Sequence, residues 1–209
     1  QFLGPRNVAV DGAGNFFVSD YLDHRIYRVG VDGRVAVVAG TGVAGNNGDG
    51  PALSAQLNYP AGLAVDRNGA LYVADSGNKL IRRITGGQVA TVLGGPGSAV
   101  ELSTPVGLAV DAEGNLYVAD SSARRLYRRA VNGAVSTIAG AKPAIESAVR
   151  DVALDAAGGI YLAAGKQVLK LGANATLTAI AGSGADPGLN EGGEARLTVL
   201  RGPMGVAVD

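Results

Sequence analysis

Apolar residues in this chain fall in short blocks, each closed by a polar or glycine-containing turn. One block type recurs five times: PRNVAVD ending at Asp11, PAGLAVD at Asp66, PVGLAVD at Asp111, VRDVALD at Asp155 and PMGVAVD at Asp209. The closing aspartates stand 55, 45, 44 and 54 residues apart. A period near ~45 residues is that of a four-stranded propeller blade. Hydrophobicity inside the block is nearly continuous, as in a strand buried on both faces. No stretch sustains a 3.6-residue period, so strands are expected throughout.

Each period repeats strand by strand. The block is followed by a turn, with Gly at its fourth place in Asp11-GAG-Asn15, Asp66-RNG-Ala70, Asp111-AEG-Asn115 and Asp155-AAG-Gly159. Glycine there supplies a positive φ, and the aspartate can bond its own backbone. Second strands then read FFV, LYV, LYV and IYL from Phe16, Leu71, Leu116 and Ile160; third strands start at Arg25, Leu80, Arg125 and Gln167; fourth strands start at Val35, Val89, Val135 and Leu177. The reading is all-β: one β-propeller over 1–209, with four-stranded antiparallel blades at 5–40, 60–95, 105–140 and 149–182 and the inner strand of a fifth at 203–209. One helical turn is expected near 52–57, with a counterpart at 194–199.

These residues resemble NHL repeats. The pattern P-x-G-[LV]-A-V-D-x-x-G-N-[LF]-Y-V-A-D-S-x-N-[HK]-[RL]-I runs almost unbroken over 60–81 and well over 5–26 and 105–126. The linker 41–59 is similar to the inter-blade loops of bacterial NHL proteins. The fourth unit departs, with Ala164 in place of the aspartate and a loop reduced to Gly165-Lys166. The resemblance implies six blades in a full ring, so the chain is expected to be a fragment of a longer propeller. Rings cover their blade faces by closing. A four-blade arc is expected to close as a smaller ring, with 203–209 replacing the first inner strand, or to associate with a second copy.

Composition narrows the function classes. Lys+Arg and Asp+Glu are balanced at 18 each, so no net field favours nucleic acid. No apolar run is long enough to span a bilayer as a helix, and no membrane insertion is expected. The absence of cysteine removes disulfides and thiolate chemistry. Ala- and Gly-rich blades with GDG-type linkers resemble exported bacterial proteins, and an extracytoplasmic setting is expected.

Second-to-third loops and inter-blade linkers should share one end of the propeller, where loops on a rigid scaffold bind ligands. The candidate ligand-binding face is therefore Asp20, Tyr21, His24, Arg25, Asn46, Asn47, Asp49, Asp75, Asn78, Lys79, Asp120, Arg124, Arg125, Asp186 and Glu191. Asp20, Asp75 and Asp120 could ring a cation, preferably Ca²⁺ or Mg²⁺. Their recurrence once per blade favours instead a capping role for each in its own loop. The aspartates of the inner turns read as structural. His24 is the only histidine, and the NHL pattern itself accounts for it. Asn46-Asn47-Gly48-Asp49-Gly50 lacks the alternating acids of a calcium loop. Arg28, Arg83, Arg128 and Lys170 read as rim positions rather than an RNA surface, and 174–176 fits a chance glycosylation sequon.

The resulting expectation is a non-catalytic binding scaffold for a protein, peptide or glycan, with no catalytic residues, no metal and no cofactor beyond a weak prospect of Ca²⁺. The alternatives are a piece of a propeller enzyme of lyase or lactonase type, and a structural repeat without a ligand.

Overall fold

Each apolar block folds as a strand in the computed structural model, which describes residues 1–140, 144–184 and 193–208. Blade one comprises β1 (Pro5–Val10), β2 (Phe16–Asp20), β3 (Arg25–Val29) and β4 (Val35–Ala39). Blade two comprises β5 (Gly50–Pro51), β6 (Pro60–Val65), β7 (Leu71–Asp75), β8 (Leu80–Thr85) and β9 (Gln88–Leu93). Blade three has β10 (Pro105–Val110), β11 (Leu116–Asp120), β12 (Arg125–Arg129) and β13 (Val135–Ala139), and blade four β14 (Val149–Leu154), β15 (Ile160–Ala164), β16 (Gln167–Leu171) and β17 (Leu177–Ala181). Every blade is an antiparallel meander ordered from its inner strand outward. The expected helical turns are single 3-10 turns at Ala52–Ser54 and Ala195–Leu197, and a third covers Ser76–Asn78.

Alternation along the strands sends successive side chains to opposite blade faces, and neighbouring blades interleave them. Ala9, Phe17, Ile26 and Ala39 of blade one meet Leu63, Leu71, Val73, Ile84 and Val89 of blade two. Ala64, Tyr72, Ala74 and Ile81 meet Leu108, Leu116, Val118 and Tyr127 of blade three. Tyr117, Ala119, Leu126 and Ala139 meet Val152, Leu162 and Leu169 of blade four. On the leading faces alanines and aromatic rings surround one branched residue per blade, Ile26, Ile81 or Leu126, and the trailing faces of blades two and three are mostly branched.

Inner strands approach closely because of the glycine in P-x-G. A Cβ on Gly62 would lie 2.2 Å from the Val106 carbonyl oxygen, and one on Gly107 2.6 Å from the Asp151 Cα. Where the repeat carries a polar residue at this place, its side chain bridges to the next unit. Asn7 Oδ1 accepts the Leu63 N–H at 3.0 Å, and Asp151 Oδ2 accepts the Val206 N–H at 3.1 Å. The segment 203–208 is thereby seated beside β14 as the fifth unit's inner block. It forms no ladder, because an inner strand pairs only with the second strand of its own blade, and Asp209 lies outside the described residues.

Blade one leaves its trailing face uncovered. Val8, Val10, Phe16 and Val35 are 46–56% exposed, whereas the equivalent Leu63, Leu71 and Val89 are 5% exposed or less.

Candidate functional site

Two ends of the propeller differ in what their loops do. At the end holding the inner turns, each aspartate bonds back into its own loop as expected. Asp11 Oδ1 accepts the N–H groups of Ala13 and Asn15, and its other oxygen accepts the Asn15 side-chain amide at 2.7 Å. Asp111 accepts the N–H and side-chain amide of Asn115, Asp155 accepts the N–H groups of Ala157 and Gly159, and each also accepts a tyrosine hydroxyl, Tyr117 at 3.1 Å and Tyr161 at 2.9 Å. The bond from Asn15 lowers the Asp11 carboxyl below its ordinary value; backbone bonding at Gly159 does so for Asp155. For Asp111, burial pushes upward and is outweighed by bonds from Asn115 and Tyr117. The third-strand bases turn toward this end: Arg28 bonds the Asn15 side chain and Lys170 the Tyr161 hydroxyl. Gly14, Gly69, Gly114 and Gly158 have φ between +79° and +87°, as the turn chemistry required.

At the opposite end the second-to-third loops meet the linkers. Asp20, Asp75 and Asp120 are completely buried there. Asp20 accepts the N–H groups of Leu3, Gly4 and Asp23; Asp120 accepts those of Ser103, Thr104 and Ala123; Asp75 accepts Asn58 N–H and the Asn78 amide. These carboxylates hold each linker to its blade from beneath the surface. Arg25 does not reach Asp20; it forms a bidentate pair with Asp23 and bonds the Thr41 carbonyl. Burial pushes the Asp75 carboxyl up to about 6, against the bonds from Asn78 and Asn58.

The linker does not gather round the axis. It runs along β9, which would otherwise be an open sheet edge. Gly50–Pro51 adds a fifth strand there, and Asp49 accepts both the N–H and the hydroxyl of Thr91 at 2.9 and 2.8 Å. Asn47 bridges Ser54 and Gln56, Asn46 accepts the Gly48 N–H, and Asn78 reaches the Gly45 carbonyl. Fully buried Arg82 anchors this loop through Thr91, Gly48 and Asn46, with Asp49 at 3.7 Å, while its Nε has no partner. Asn46, Asn47 and Asp49 therefore lie at the outer edge of blade two, a correction to their expected place beside the channel. Asp186 and Glu191 lie outside the described residues.

Residues that the repeat does not share form a patch on this end. Tyr21 stacks on Tyr59 with centroids 4.6 Å apart, and His24 meets Tyr59 edge-on at 4.9 Å. The Tyr59 N–H donates to His24 Nδ1 at 3.1 Å, which assigns the ring proton to Nε2. Tyr59 has φ +52°, a left-handed conformation that a bulky residue seldom adopts and that concentrates at functional sites. It is also 41% exposed. His24, Lys79 and Arg124 share the positive-φ place in their loops, with φ between +53° and +59°; Lys79, Arg124 and Arg125 are exposed. The Arg6 guanidinium lies over Tyr21, 5.8 Å from the ring centroid. Arg6 in turn lines the axial cavity with Asn7, Gly62, Val106, Arg150, Asp151 and Met204. Sequence reasoning missed Arg6, Tyr59 and Arg150. Their signal was departure from the repeat: Tyr59 stands where other units have Gly4, Thr104, Ala148 and Gly202, and Arg6 and Arg150 align with Ala61, Val106 and Met204.

No three His, Asp or Glu side chains converge on a possible metal position among the described residues.

The NHL repeat model matches residues 57–84, across the linker end and the first three full-length strands of blade two. One segment of the chain therefore matches an NHL repeat, and the chain folds as the blades of a β-propeller. Over 81 residues it is 44% identical to Protein SUPPRESSOR OF QUENCHING 1, chloroplastic, of Arabidopsis thaliana, covering 38% of this chain and 8% of that one. Over 92 residues it is 33% identical to mouse Teneurin-3, covering 37% of this chain and 3% of the other. The propeller also superposes on a chain of a nidogen/laminin complex with TM-score 0.72 at 16% identity, covering 98% of this chain and 68% of that one. Virginiamycin B lyase from Staphylococcus aureus superposes with TM-score 0.62 at 18% identity, covering 83% and 54%. At these identities the superpositions establish the fold alone. The chain spans about half of the lyase and less than a tenth of the two sequence relatives.

Proposed function

We propose that this NHL propeller is a non-catalytic binding module that presents its loop-rich end, around Tyr21, His24 and Tyr59, to a protein or peptide partner. One observation carries the reading. Two non-repeating tyrosine rings, Tyr21 and Tyr59, are stacked, with His24 edge-on to Tyr59; the group is partly exposed and held by a strained backbone at Tyr59, on a scaffold whose repeating residues bond among themselves. Rigid aromatic side chains give large contact area at low entropic cost, and they concentrate where partners bind most tightly. Membership of a nidogen/laminin complex by a structural neighbour is consistent with a protein partner.

The test is selection on peptide and glycan arrays, followed by titration of Tyr59→Ala and Tyr21→Ala. A peptide or protein segment whose binding falls at least about tenfold in both variants supports the reading. Selection of glycans alone, or of ligands indifferent to both tyrosines, refutes it. Turnover of lyase or lactonase substrates would favour the enzyme alternative. The uncovered trailing face of blade one further supports pairing with a second copy. Light scattering should then show a mass above 20.8 kDa, and a monodisperse monomer would contradict the pairing.

A further inference from the structure

Two arginines line the axial cavity, and among the described residues neither forms an ion pair. In β1 and β14 the ladder register shifts between the first and third residues, Pro5/Asn7 and Val149/Asp151. Such bulges re-aim the extra residue out of the sheet, and here that residue is Arg6 and Arg150. Both are exposed, and both line one cavity of about 90 Å³ together with Asn7, Asp151 and Met204. Among the described residues neither guanidinium has an ion-pair or hydrogen-bond partner; Arg6 has only the Tyr21 ring.

The nearby carboxylates do not compete. Asp20 is spent on backbone N–H groups at the same end. Asp151 shares the cavity, but its oxygens accept the Val152 N–H at 2.9 Å and the Val206 N–H at 3.1 Å. Two guanidiniums against one amide-bonded carboxylate leave the cavity positive. Its volume is well below the ~300 Å³ needed for a whole small-molecule ligand. A single charged group fits.

We infer that the channel mouth binds one anionic oxygen group, a carboxylate or a phosphate, between Arg6 and Arg150. Arginine is suited to this role because its planar donors match both groups bidentately. The site rests on the reading above in that Arg6 joins it to the aromatic patch. A partner held on Tyr21 and Tyr59 would insert an acidic or phosphorylated side chain here.

The test is a titration of the full chain with sodium acetate and, separately, inorganic phosphate, with sodium chloride at matched ionic strength as reference. Arginine Nε–Hε resonances are followed by NMR, those of Arg6 and Arg150 being assigned from Arg6→Gln and Arg150→Gln. Both resonances should shift saturably with at least one of the two anions, and the responding anion identifies the group. Each single substitution should weaken binding about tenfold, and the double substitution should abolish saturation with the melting temperature unmoved. Arg6→Lys should retain part of the binding, separating charge from the bidentate fit. A response that is linear, or that chloride reproduces, overturns the inference, as does undiminished binding in the double variant. Tyr59→Ala should leave the titration unchanged, so this site and the aromatic patch fail independently.

Discussion

The two ends of the propeller use the same residue type differently. At the turn end, Asp11, Asp111 and Asp155 fold their own loops and remain in contact with solvent, with carboxyls held below the ordinary value. At the loop end, Asp20, Asp75 and Asp120 are completely buried and tie one segment to another, and burial pushes Asp75 upward. The first arrangement completes a turn and supports nothing further. The second fixes the positions from which non-repeating side chains, Tyr21, Tyr59 and Arg6, project. On the proposed reading, positions shared among blades maintain the sheets, and positions at which one blade differs are available for recognition.

The sharpest break in this comparison should come from Asp120→Ala. It leaves three N–H groups, those of Ser103, Thr104 and Ala123, without their acceptor. At ~1–3 kcal/mol per orphaned buried group, a loss of at least about 3 kcal/mol is expected by denaturant unfolding. Asp111→Ala, in an exposed loop, should cost less than half of that.

The pH dependence contributed by Asp75 should run opposite to that of the turn aspartates Asp11, Asp111 and Asp155. Asp75 has a folded-state value above its unfolded 3.8, so it favours the native state while protonated and loses that advantage as pH rises from about 4 to about 6. A shift of this size corresponds to about 3 kcal/mol. The lowered Asp11, Asp111 and Asp155 stabilise above their unfolded value and lose that contribution as pH falls below it. Unfolding free energies at pH 4 and pH 7 should show a decline in the wild type that Asp75→Asn removes.

Smaller effects separate packing from conformation. Gly62→Ala places a Cβ 2.2 Å from a backbone oxygen and should cost about 1–3 kcal/mol by overpacking. A Cβ on Gly69 meets nothing within 4 Å, so the cost of Gly69→Val is chiefly that of φ +79°, about 1–2 kcal/mol. Comparable melting of Gly69→Val and the wild type would show the turn assignment to be wrong. Least of all should be Tyr59→Gly. Gly202 occupies the equivalent place with φ +102°, and relief of the left-handed strain offsets the lost ring stacking to within about 1 kcal/mol.

Strand order and turn glycines were legible in the sequence because each depends on neighbours within a few residues. The 3-10 turn at Ala52–Ser54 was legible for the same reason. What was not legible depends on distant segments. Nothing local places Asp49 against Thr91, 42 residues away, or turns the linker along β9 instead of round the channel. The Tyr21–Tyr59 stack and the Asn7–Leu63 bridge likewise join positions on successive units. Asp20, Asp75 and Asp120 were read both as a candidate cation ring and as caps of their own loops; each does bond its own loop, at Asp23, Asn78 and Ala123, and in addition holds the preceding linker, at Leu3, Asn58 and Ser103. Aligning the units against one another, and asking where one departs, would have identified Tyr59, Arg6 and Arg150.

The measurement that tests this division of labour most directly is the dissociation constant of the array-selected ligand for Tyr59→Gly and for Asp111→Asn, each measured alongside its melting temperature. Tyr59→Gly should bind at least about tenfold more weakly while melting with the wild type, and Asp111→Asn should melt lower while binding as the wild type does. Wild-type affinity in Tyr59→Gly together with lost affinity in Asp111→Asn would place recognition at the opposite end and contradict the account.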